Sequence, residues 1–338
     1  MSKRKISFEG LTNLPFEEWE FQEMEETKIK RESPYKNVEI PQKKKSWEND
    51  DQRIYYFSMG SGSSGNSCYL GNSLGGVIID AGVKADEILM MLTSNGIDIK
   101  NVKGVLLTHD HADHVKYIYT LLRNHKQLRV FCTNRILNGL LRRHSISKRI
   151  KEYHVPIFKE IPFNINGFEI TAFEVPHDGS DNMGFSIEFN DRRFVLATDM
   201  GTVSDRARHY ISNANYLVME ANYDLDMLRK GHYPEYLKAR IQTERGHMDN
   251  VHTAAFLAET ITDKLSHIFL CHLSQDNNTP QIALKTIREA LEKAGKKVGN
   301  AENTIDDRNA DVQLMALPRY GATRLFVFRP PLASRSSI

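Results

Sequence analysis

The sequence predicts a layered α/β domain in which strands end at metal-binding side chains. The run THDHADH, residues 108–114, directly follows the apolar stretch Val102 to Leu107. Helical spacing of apolar residues follows this run, at Val115, Ile118, Tyr119 and Leu122. Later apolar runs also stop at a His, Asp or Glu. Layered α/β folds build sites in this way, with donors released at one edge of a sheet.

The run THDHADH places four candidate ligands on one short loop, and these are His109, His111, Asp113 and His114. Imidazole nitrogens and carboxylate oxygens are common ligands of divalent metals in proteins. The alternative is a polar turn with surface histidines, but solvated turns favour Gly, Pro, Asn and Asp over His. The run therefore predicts a metallohydrolase.

Composition limits the class of protein without naming a substrate. The 338 residues are 40% hydrophobic and 26% charged, enough for one large domain or two small ones. No apolar run approaches the roughly 20 residues of a membrane span, and the N-terminus lacks a secretory signal, so we expect a cytoplasmic protein without membrane contact. The cysteines are too scattered for a disulfide framework, and we expect them to be buried: Cys68, Cys132 and Cys271.

The charge pattern predicts three segments. Residues 1–53 are rich in Lys and Glu and are expected to form a disordered or peripheral extension. Residues 54–332 form the predicted domain, and residues 333–338 form a tail. The Gly/Ser segment GSGSSGNSCYLGN, residues 60–72, would read as a flexible linker in isolation. Its position between two strand-like runs favours a tight hairpin loop whose backbone NH groups can face an anion.

Helices and strands are predicted along the rest of the domain. One helix covers Asp86 to Asn95 and is closed by Gly96, and a basic helical stretch covers Arg135 to Lys151. Short strands are expected between Ile157 and Met219. Two more helices and a closing strand are predicted at Val251 to Thr262, at Gln281 to Ala294 and at RLFVF, residues 324–328.

A second set of donors follows four further apolar runs. Each donor alone is weak evidence of a site, but together they complete a set. The four runs end at His177, Asp199, Glu220 and His272, and the donors of the full set number seven: His109, His111, Asp113, His114, His177, Asp199 and His272. Two ions about 3.5 to 4 Å apart that share one carboxylate would use such a set.

The strings HDHADH, VPHD, ATDMG and CHLS, in this order, resemble the metallo-β-lactamase fold, a four-layer αββα sandwich. The resemblance implies two divalent metal ions, zinc or manganese. It implies that the first ion is held by His109, His111 and His177, the second by Asp113, His114 and His272, and that Asp199 bridges them. Asp80 is implied to be structural.

A finer resemblance connects SGSSGNSCYL, EANYDLDML, RGHMDN and CHLSQDNNTP to the YycJ group, also called WalJ or VicX, whose members look like DNA exonucleases of this fold. It implies a 5′-to-3′ DNA exonuclease that uses a hydroxide activated by two metals, with DNA repair as the implied pathway and a DNA 5′ end and phosphate backbone as the partner. Asp249 departs from the group's usual serine, and we expect it to cap the following helix.

The proposed catalytic pair follows from a similarity of EANYD and RGHMDN to the tRNA-processing nucleases of this fold. Asp113 and Asp199 belong to the catalytic centre, and Glu220 is expected to pair with His247 so that the imidazole protonates the leaving 3′ oxygen. The alternatives are a surface or capping Glu220 and a loop His247. Phosphate contacts are expected from Ser274, Asn277 and Asn278 and, on the opposite lip, from Ser63, Ser64 and Asn66. Basic residues either follow a DNA backbone or are merely solvated: Arg135, Arg142, Arg143, Lys148, Arg149, Lys238, Arg240 and Arg245.

Two other functions stay open at this stage. One is a small-molecule metallohydrolase acting on a lactone, a thioester or a cyclic phosphodiester. The other is a metal-stabilised regulatory or interaction protein that acts through its extension. The Glu220 and His247 pair and the CHLSQDNN loop favour a phosphodiester. The oligomeric state is not indicated.

Overall fold

Two β-sheets lie face to face in the computed structural model, which describes residues 52–330. Nearly all of the predicted extension and the whole predicted tail lie outside these residues. The strands are β1 (Ile54–Gly60), β2 (Ser67–Asn72), β3 (Gly75–Ile79), β4 (Val102–Leu106), β5 (Arg129–Cys132), β6 (His154–Pro156), β7 (Phe163–Ile165), β8 (Phe168–Glu174), β9 (Met183–Phe189), β10 (Arg192–Ala197), β11 (Tyr216–Glu220), β12 (His267–Cys271), β13 (Val298–Asn300), β14 (Val312–Ala316) and β15 (Phe326–Phe328). The first sheet has the order β15-β1-β2-β3-β4-β5-β6 and the second β13-β14-β12-β11-β10-β9-β8-β7.

Helices connect the strands of each sheet. They are α1 (Ala85–Ser94), α2 (Ala112–Val115), α3 (Ile118–Asn124), α4 (Asn134–Arg143), α5 (Asp205–Ile211), α6 (Leu225–Lys230), α7 (Glu235–Ile241), α8 (Asn250–Thr260) and α9 (Pro280–Lys293). The Asp249 carboxylate accepts hydrogen bonds from the amides of Val251 and His252, so the predicted cap of α8 is confirmed. Among the helices of residues 52–330, none has both the length and the apolar character needed to span a bilayer.

Aromatic side chains fill the space between the sheets. The Tyr56 ring of β1 lies 4.9 Å from the Phe194 ring of β10 and 5.0 Å from the Phe269 ring of β12. The ring of Phe326, in β15, lies 4.8 Å from that of Phe269. On the other face of the second sheet, residues of α5, α8 and α9 belong to one core cluster with residues of β10, β11 and β12. Helices thus cover the outer face of this sheet, and the predicted αββα sandwich is confirmed.

Parallel strands carry the predicted donors to one edge of each sheet. In the first sheet β3, β4 and β5 are parallel neighbours, and in the second β10, β11 and β12 are parallel neighbours. Parallel neighbours end together, and ligands of open α/β sheets bind at the carboxyl ends of strands. Asp80, the THDHADH run, Asp199 and Glu220 all lie at such ends.

The predicted basic helix from Arg135 to Lys151 is wrong, since the structure contains two separate pieces. Helix α4 ends at Arg143, and His144 adopts an extended backbone. The ring of His144 lies 2.6 Å from the carbonyl oxygen of Asp110, and Ser147 caps a 3₁₀ turn at Lys148–Tyr153. Polar contacts therefore interrupt a stretch that sequence periodicity joins.

The Gly/Ser segment is a tight loop between antiparallel strands and not a linker. Strands β1 and β2 pair directly on either side of residues 61–66. Gly65 donates to the Gly62 carbonyl oxygen at 2.9 Å, and Asn66 accepts from the Gly62 amide at 2.8 Å. Helix α1 is followed by Gly96 with a φ of 73°, in agreement with the predicted stop.

Candidate metal centre

The seven predicted donors gather into two groups that share Asp199. The first group comprises His109, His111, His177 and Asp199, and the second comprises Asp113, His114, Asp199 and His272. Within each group the possible ligand atoms lie within 4.8 Å of one another. The four-residue THDHADH set is therefore divided between two neighbouring sites.

Asp199 is positioned to serve both groups. Its Oδ2 atom lies 3.4 Å from His114 Nε2, 3.6 Å from His109 Nε2 and 3.7 Å from His177 Nε2. Its Oδ1 atom lies 3.3 Å from His272 Nδ1. Most of these distances exceed those of good hydrogen bonds, so the donors converge on common points and do not simply pair with one another.

One imidazole nitrogen shows that the first group fits a cation. His109 Nε2 is buried and has no hydrogen-bond partner in the described residues. A buried polar atom left unpaired costs about 1–3 kcal/mol, and such atoms are rare in native structures. A cation among these imidazoles and Asp199 would satisfy it, because imidazole nitrogen and carboxylate oxygen are ligands of divalent metals. The residues present therefore fit a metal ion.

Hydrogen bonds behind the ligands fix which nitrogen faces the centre. His114 Nδ1 lies 2.7 Å from Asp80 Oδ2, which leaves Nε2 toward Asp199. The Asp80 carboxylate is itself held by the backbone amide and hydroxyl of Thr108, at 2.9 and 2.8 Å. His177 Nδ1 lies 3.0 Å from the Gly246 carbonyl oxygen. Such outer partners orient metal-binding histidines and raise their basicity.

The backbone turns sharply at three of the strand ends. Asp80, Asp199 and His272 have φ values of 59°, 49° and 54°, in the left-handed region that non-glycine residues seldom occupy. Each of these residues follows a strand; Asp199 and His272 belong to the groups of possible ligands, and Asp80 supports His114 from behind. Gly82 is required nearby, because a Cβ there would lie 1.6 Å from the Asp113 carbonyl oxygen. Residues held in such conformations cluster at functional sites.

The histidines of the first group favour the neutral state. Burial, followed by the neighbouring His114, holds the pKa of His109 well below its usual value. Burial is also the main cause that lowers the pKa of His111 and His177. Only a neutral imidazole binds a metal, so this group needs little proton release to do so.

The second group holds its histidines in the charged state. Burial alone would lower the pKa of His272, but Asp199 and the hydrogen bond to Asp113 raise it to about 10. The pKa of His114 is likewise raised against burial, by Asp199 and Asp113. Although burial would raise the pKa of Asp199, His272 and His114 hold it well below its usual range. A divalent cation among these carboxylates would replace the protons.

Glu220 and His247 form a hydrogen-bonded pair beside the second group. His247 Nδ1 lies 2.7 Å from Glu220 Oε1, and the same oxygen lies 3.0 Å from His272 Nδ1. Glu220 is fully buried and its other oxygen accepts from the amide of Met200 at 2.8 Å. The carboxylate is therefore neither a surface nor a helix-capping group. Burial would lower the pKa of His247, but Glu220 raises it above its usual value.

A cavity of about 200 Å³ opens on this pair and on the metal centre. Its lining includes His177, His247 and His272 on the side of the centre. The hydroxyl residues Ser63 and Ser274 form part of its wall. A substrate group in this cavity can therefore contact both the metal ligands and the His247 ring.

The predicted phosphate contacts occupy different places. Ser63 and Ser274 line the cavity at the centre, whereas Ser64 lines a separate one. Asn66 lies behind the ligands, where its Nδ2 donates to Asp113 Oδ2 at 3.0 Å.

Asn277 and Asn278 are buried and do not line the cavity at the metal centre. Asn278 Nδ2 donates to the Ala221 carbonyl oxygen at 2.9 Å, and Asn278 exchanges amide hydrogen bonds with Asn250. These contacts tie the loop after β12 to α8. The structure does not bring either asparagine to the place at which we expected a phosphate.

Two contacts at the centre were not anticipated. Asp178 Oδ1 lies 3.3 Å from His111 Nε2, and Asp178 Oδ2 accepts from Arg240 Nε at 2.7 Å. Asn222 donates to the His272 carbonyl oxygen at 2.7 Å. Asp178 directly follows His177 in the string VPHD, and this position beside a predicted ligand could have indicated that Asp178 lies at the centre. Arg240 belongs to the predicted basic set, but no sequence pattern links it to Asp178.

His247 and Glu220 form a third possible metal-binding group with His272, whereas the histidines treated as structural lie outside such groups in the described residues. Examples are His154, whose Nε2 lies 2.9 Å from the Cys132 carbonyl oxygen, and His267, whose Nε2 lies 3.2 Å from Asp306. The three cysteines are free and buried, as predicted.

Comparison with known proteins agrees with this geometry. Residues 76–272 match the model of the Beta-lactamase superfamily domain. The chain is 34% identical over 254 residues to Exodeoxyribonuclease YycJ of Bacillus anthracis, covering 73% of this chain and 93% of that protein. The chain belongs to the YycJ/WalJ family of this superfamily. The resemblance found in the sequence is confirmed.

Two further comparisons extend this result. Exodeoxyribonuclease WalJ of Streptococcus pneumoniae serotype 2 (strain D39 / NCTC 7466) is 32% identical over 253 residues, covering 72% of this chain and 90% of that protein. Among solved structures, the metallo-beta-lactamase fold protein YhfI from Bacillus subtilis superposes with a TM-score of 0.56 and 13% identity. The superposition covers 82% of this chain and 100% of YhfI. That structural likeness shows the fold alone.

Proposed function

We propose that this chain is a metal-dependent 5′-to-3′ exodeoxyribonuclease with a centre for two divalent ions, zinc or manganese. The observation that carries the proposal is the buried Glu220–His247 pair, which adjoins the metal ligand His272 at the wall of the cavity. Membership of the YycJ/WalJ family supports a DNA substrate, because the compared relatives are named exodeoxyribonucleases.

The proposed ions are held by the two groups around Asp199. When bound, divalent ions supply an activated water near neutral pH and stabilise charge on a phosphoryl oxygen. Asp199 and Asp113 supply the carboxylates of the second group, and Asp80 orients the imidazole of His114. Asp178 Oδ1 lies 3.3 Å from His111 Nε2 without a hydrogen bond.

The proton for the leaving 3′ oxygen is proposed to come from His247. Glu220 holds the Nδ1 side of its ring at 2.7 Å, so Nε2 remains for the substrate. Glu220 raises the pKa of His247 against the effect of burial, which favours the protonated ring that a general acid requires. Glu220 acts through His247 and His272 and is a positioning residue.

The cavity supports binding of one terminal nucleotide. Its volume of about 200 Å³ is below the roughly 300–1,000 Å³ of pockets that hold drug-sized ligands. Ser63 and Ser274 are proposed to contact the terminal phosphate. Asn66 supports Asp113 from behind, and Ser64 belongs to the neighbouring cavity. The pathway served, which the resemblance implies to be DNA repair, is part of this proposal.

The test uses purified protein supplied with zinc or manganese. The substrates are duplex DNA with a 5′ phosphate, the same duplex with a 5′ hydroxyl, and a closed circle without ends. Stepwise loss of 5′ nucleotides from the linear substrates alone is the expected result. Hydrolysis of a lactone or thioester without hydrolysis of any DNA would overturn the proposal, as would inertness of the metal-loaded protein on every substrate.

A further inference from the structure

A second cavity of about 220 Å³ lies beside the Gly/Ser loop. Ser63 lines the cavity at the metal centre, whereas the next residue, Ser64, lines this second cavity. Consecutive Cα atoms are about 3.8 Å apart, so the tip of the loop separates the two spaces. A nucleic-acid strand that crosses this tip from the metal centre meets the second cavity next.

Arg319 gives this cavity a cation with an unused donor. Its Nη2 donates to the Leu273 carbonyl oxygen at 2.9 Å, which fixes the guanidinium beside the metal ligand His272. Its Nη1 is buried and has no hydrogen-bond partner in the described residues, so a small turn of the side chain toward the cavity would give this donor a phosphate acceptor. Phosphate oxygens are preferred acceptors for such a guanidinium. Lys84 also lines the cavity, but it is paired with Glu87 at 2.9 Å, so Arg319 is the cation left for a ligand.

The tip of the loop adds two backbone donors. The amides of Ser63 and Ser64 make no hydrogen bond within residues 52–330, whereas those of Gly62 and Gly65 bond inside the loop. Both serines are exposed. Successive amides in a turn form anion-binding sites, and these two lie between the cavities.

Tyr320 completes the second cavity with an aromatic surface. Tyr320 follows Arg319 in the chain, lines the cavity and is 68% exposed, so its ring is accessible to a ligand. Exposed aromatic rings next to cationic groups bind single-stranded nucleic acid by stacking, with little dependence on sequence. Ring, guanidinium and amides together match the base and phosphate of one nucleotide.

We infer that this second cavity binds the nucleotide on the 3′ side of the scissile phosphate, with its base on Tyr320 and the phosphate on its own 3′ side on Arg319 and the loop amides. The inference rests on the proposed nuclease function. It also gives the tight Gly/Ser loop a role, because the loop would set the distance between the two nucleotides that the cavities bind.

The test measures base stacking and does not depend on turnover. Single-stranded DNA with phosphorothioate linkages, which slow hydrolysis, carries 2-aminopurine at the first, second or third position from the 5′ end. Stacking quenches the fluorescence of this base. We expect Tyr320→Ala to abolish quenching at the second position and to weaken the Kd about 5- to 150-fold, whereas Tyr320→Phe retains both.

Phe158→Ala is the matched control, because this ring is 48% exposed and lines neither cavity. A second variant, Arg319→Met, is expected to lower the slope of log Kd against log salt concentration by about one. Unchanged second-position quenching in Tyr320→Ala would overturn the inference. If the protein hydrolyses DNA but does not quench the second-position base, the inference about the second cavity is wrong. If it quenches this base but does not hydrolyse DNA, the proposed nuclease function is wrong.

Discussion

The two halves of the metal centre hold charge in opposite ways. The first group has three imidazoles around a single carboxylate, and burial lowers the pKa of each histidine. The second group has two carboxylates with Glu220 beside them, and these raise the pKa of His114 and His272. The histidines of the first half therefore favour the neutral state in which imidazole binds a metal, whereas the second half would release protons on binding an ion and adjoins the proposed general acid.

The carboxylates behind the two groups also differ, in their exposure to solvent and in their hydrogen-bond partners. Asp80, which orients His114, is 2% exposed and receives two hydrogen bonds from Thr108. Asp178, which faces His111, has a side chain that is 31% exposed and is paired with the exposed Arg240. The second half is rigidly supported from within the fold, while the first is supported from the cavity side.

Removal of the shared carboxylate should have the largest effect, since it belongs to both halves. We expect Asp199→Ala to lose both ions and to lower activity by more than the roughly 10- to 100-fold that changes behind metal ligands cost. Metal content per chain by mass spectrometry and the rate of DNA hydrolysis would measure this. Retention of one full equivalent of metal would show that the halves are independent.

The next largest effect concerns the proposed acid beside the second half. His247→Ala should reduce kcat by about 10²- to 10⁴-fold, because the leaving oxygen loses its proton donor, while both ions remain bound. Glu220→Gln should also weaken metal binding, since Glu220 contacts His272 at 3.0 Å. Loss of metal from His247→Ala would instead assign this imidazole to the ligand shell.

Substitution of the carboxylate behind each group of histidines should affect the two ions differently. We expect Asp80→Asn to weaken the second ion about 10- to 100-fold and to spare the first, because it acts on His114. Asn tolerates the φ of 59° at this position. Asp178→Asn should weaken the first ion by a smaller factor, since its carboxylate is partly solvated. Equal loss of both ions in either variant would contradict this division, and metal titrations would decide.

The smallest effect concerns protons released on metal binding. The pKa of His114 is raised and that of His272 is raised to about 10, so an ion entering the second group is expected to displace protons. The affinity of this group should therefore rise with pH, whereas the first group, whose pKa values are lowered, should bind without proton release at pH 7. Calorimetry in two buffers of different ionisation enthalpy measures the difference, and equal proton release by both groups would contradict it.

Local sequence signals predict which residues gather at the candidate centre, but not which residues support them. His177, Asp199 and His272 could be predicted because each follows an apolar strand, and strand ends meet at one sheet edge. The Asp178–Arg240 contact joins residues far apart in the chain, and no local periodicity encodes it.

The errors have a related physical cause. Asn277 and Asn278 lie in the string that resembles the family, but tertiary packing directs Asn278 into a buried amide network. The basic stretch after Arg135 has helical composition, yet the contact of His144 with the Asp110 carbonyl ends the helix early. In both cases tertiary hydrogen bonds override the local pattern.

The most direct measurement compares wild-type protein and His247→Ala on two DNA substrates, one normal and one with sulfur in place of the bridging 3′ oxygen at the scissile bond. A thiolate leaves without protonation, so a missing general acid should matter little for the sulfur substrate. We expect the variant to be about 10²- to 10⁴-fold slower on the normal DNA and close to wild type on the sulfur DNA, with metal content unchanged. Equal loss on both substrates would contradict the role of His247, and absence of hydrolysis of either substrate by the wild type would contradict the nuclease itself.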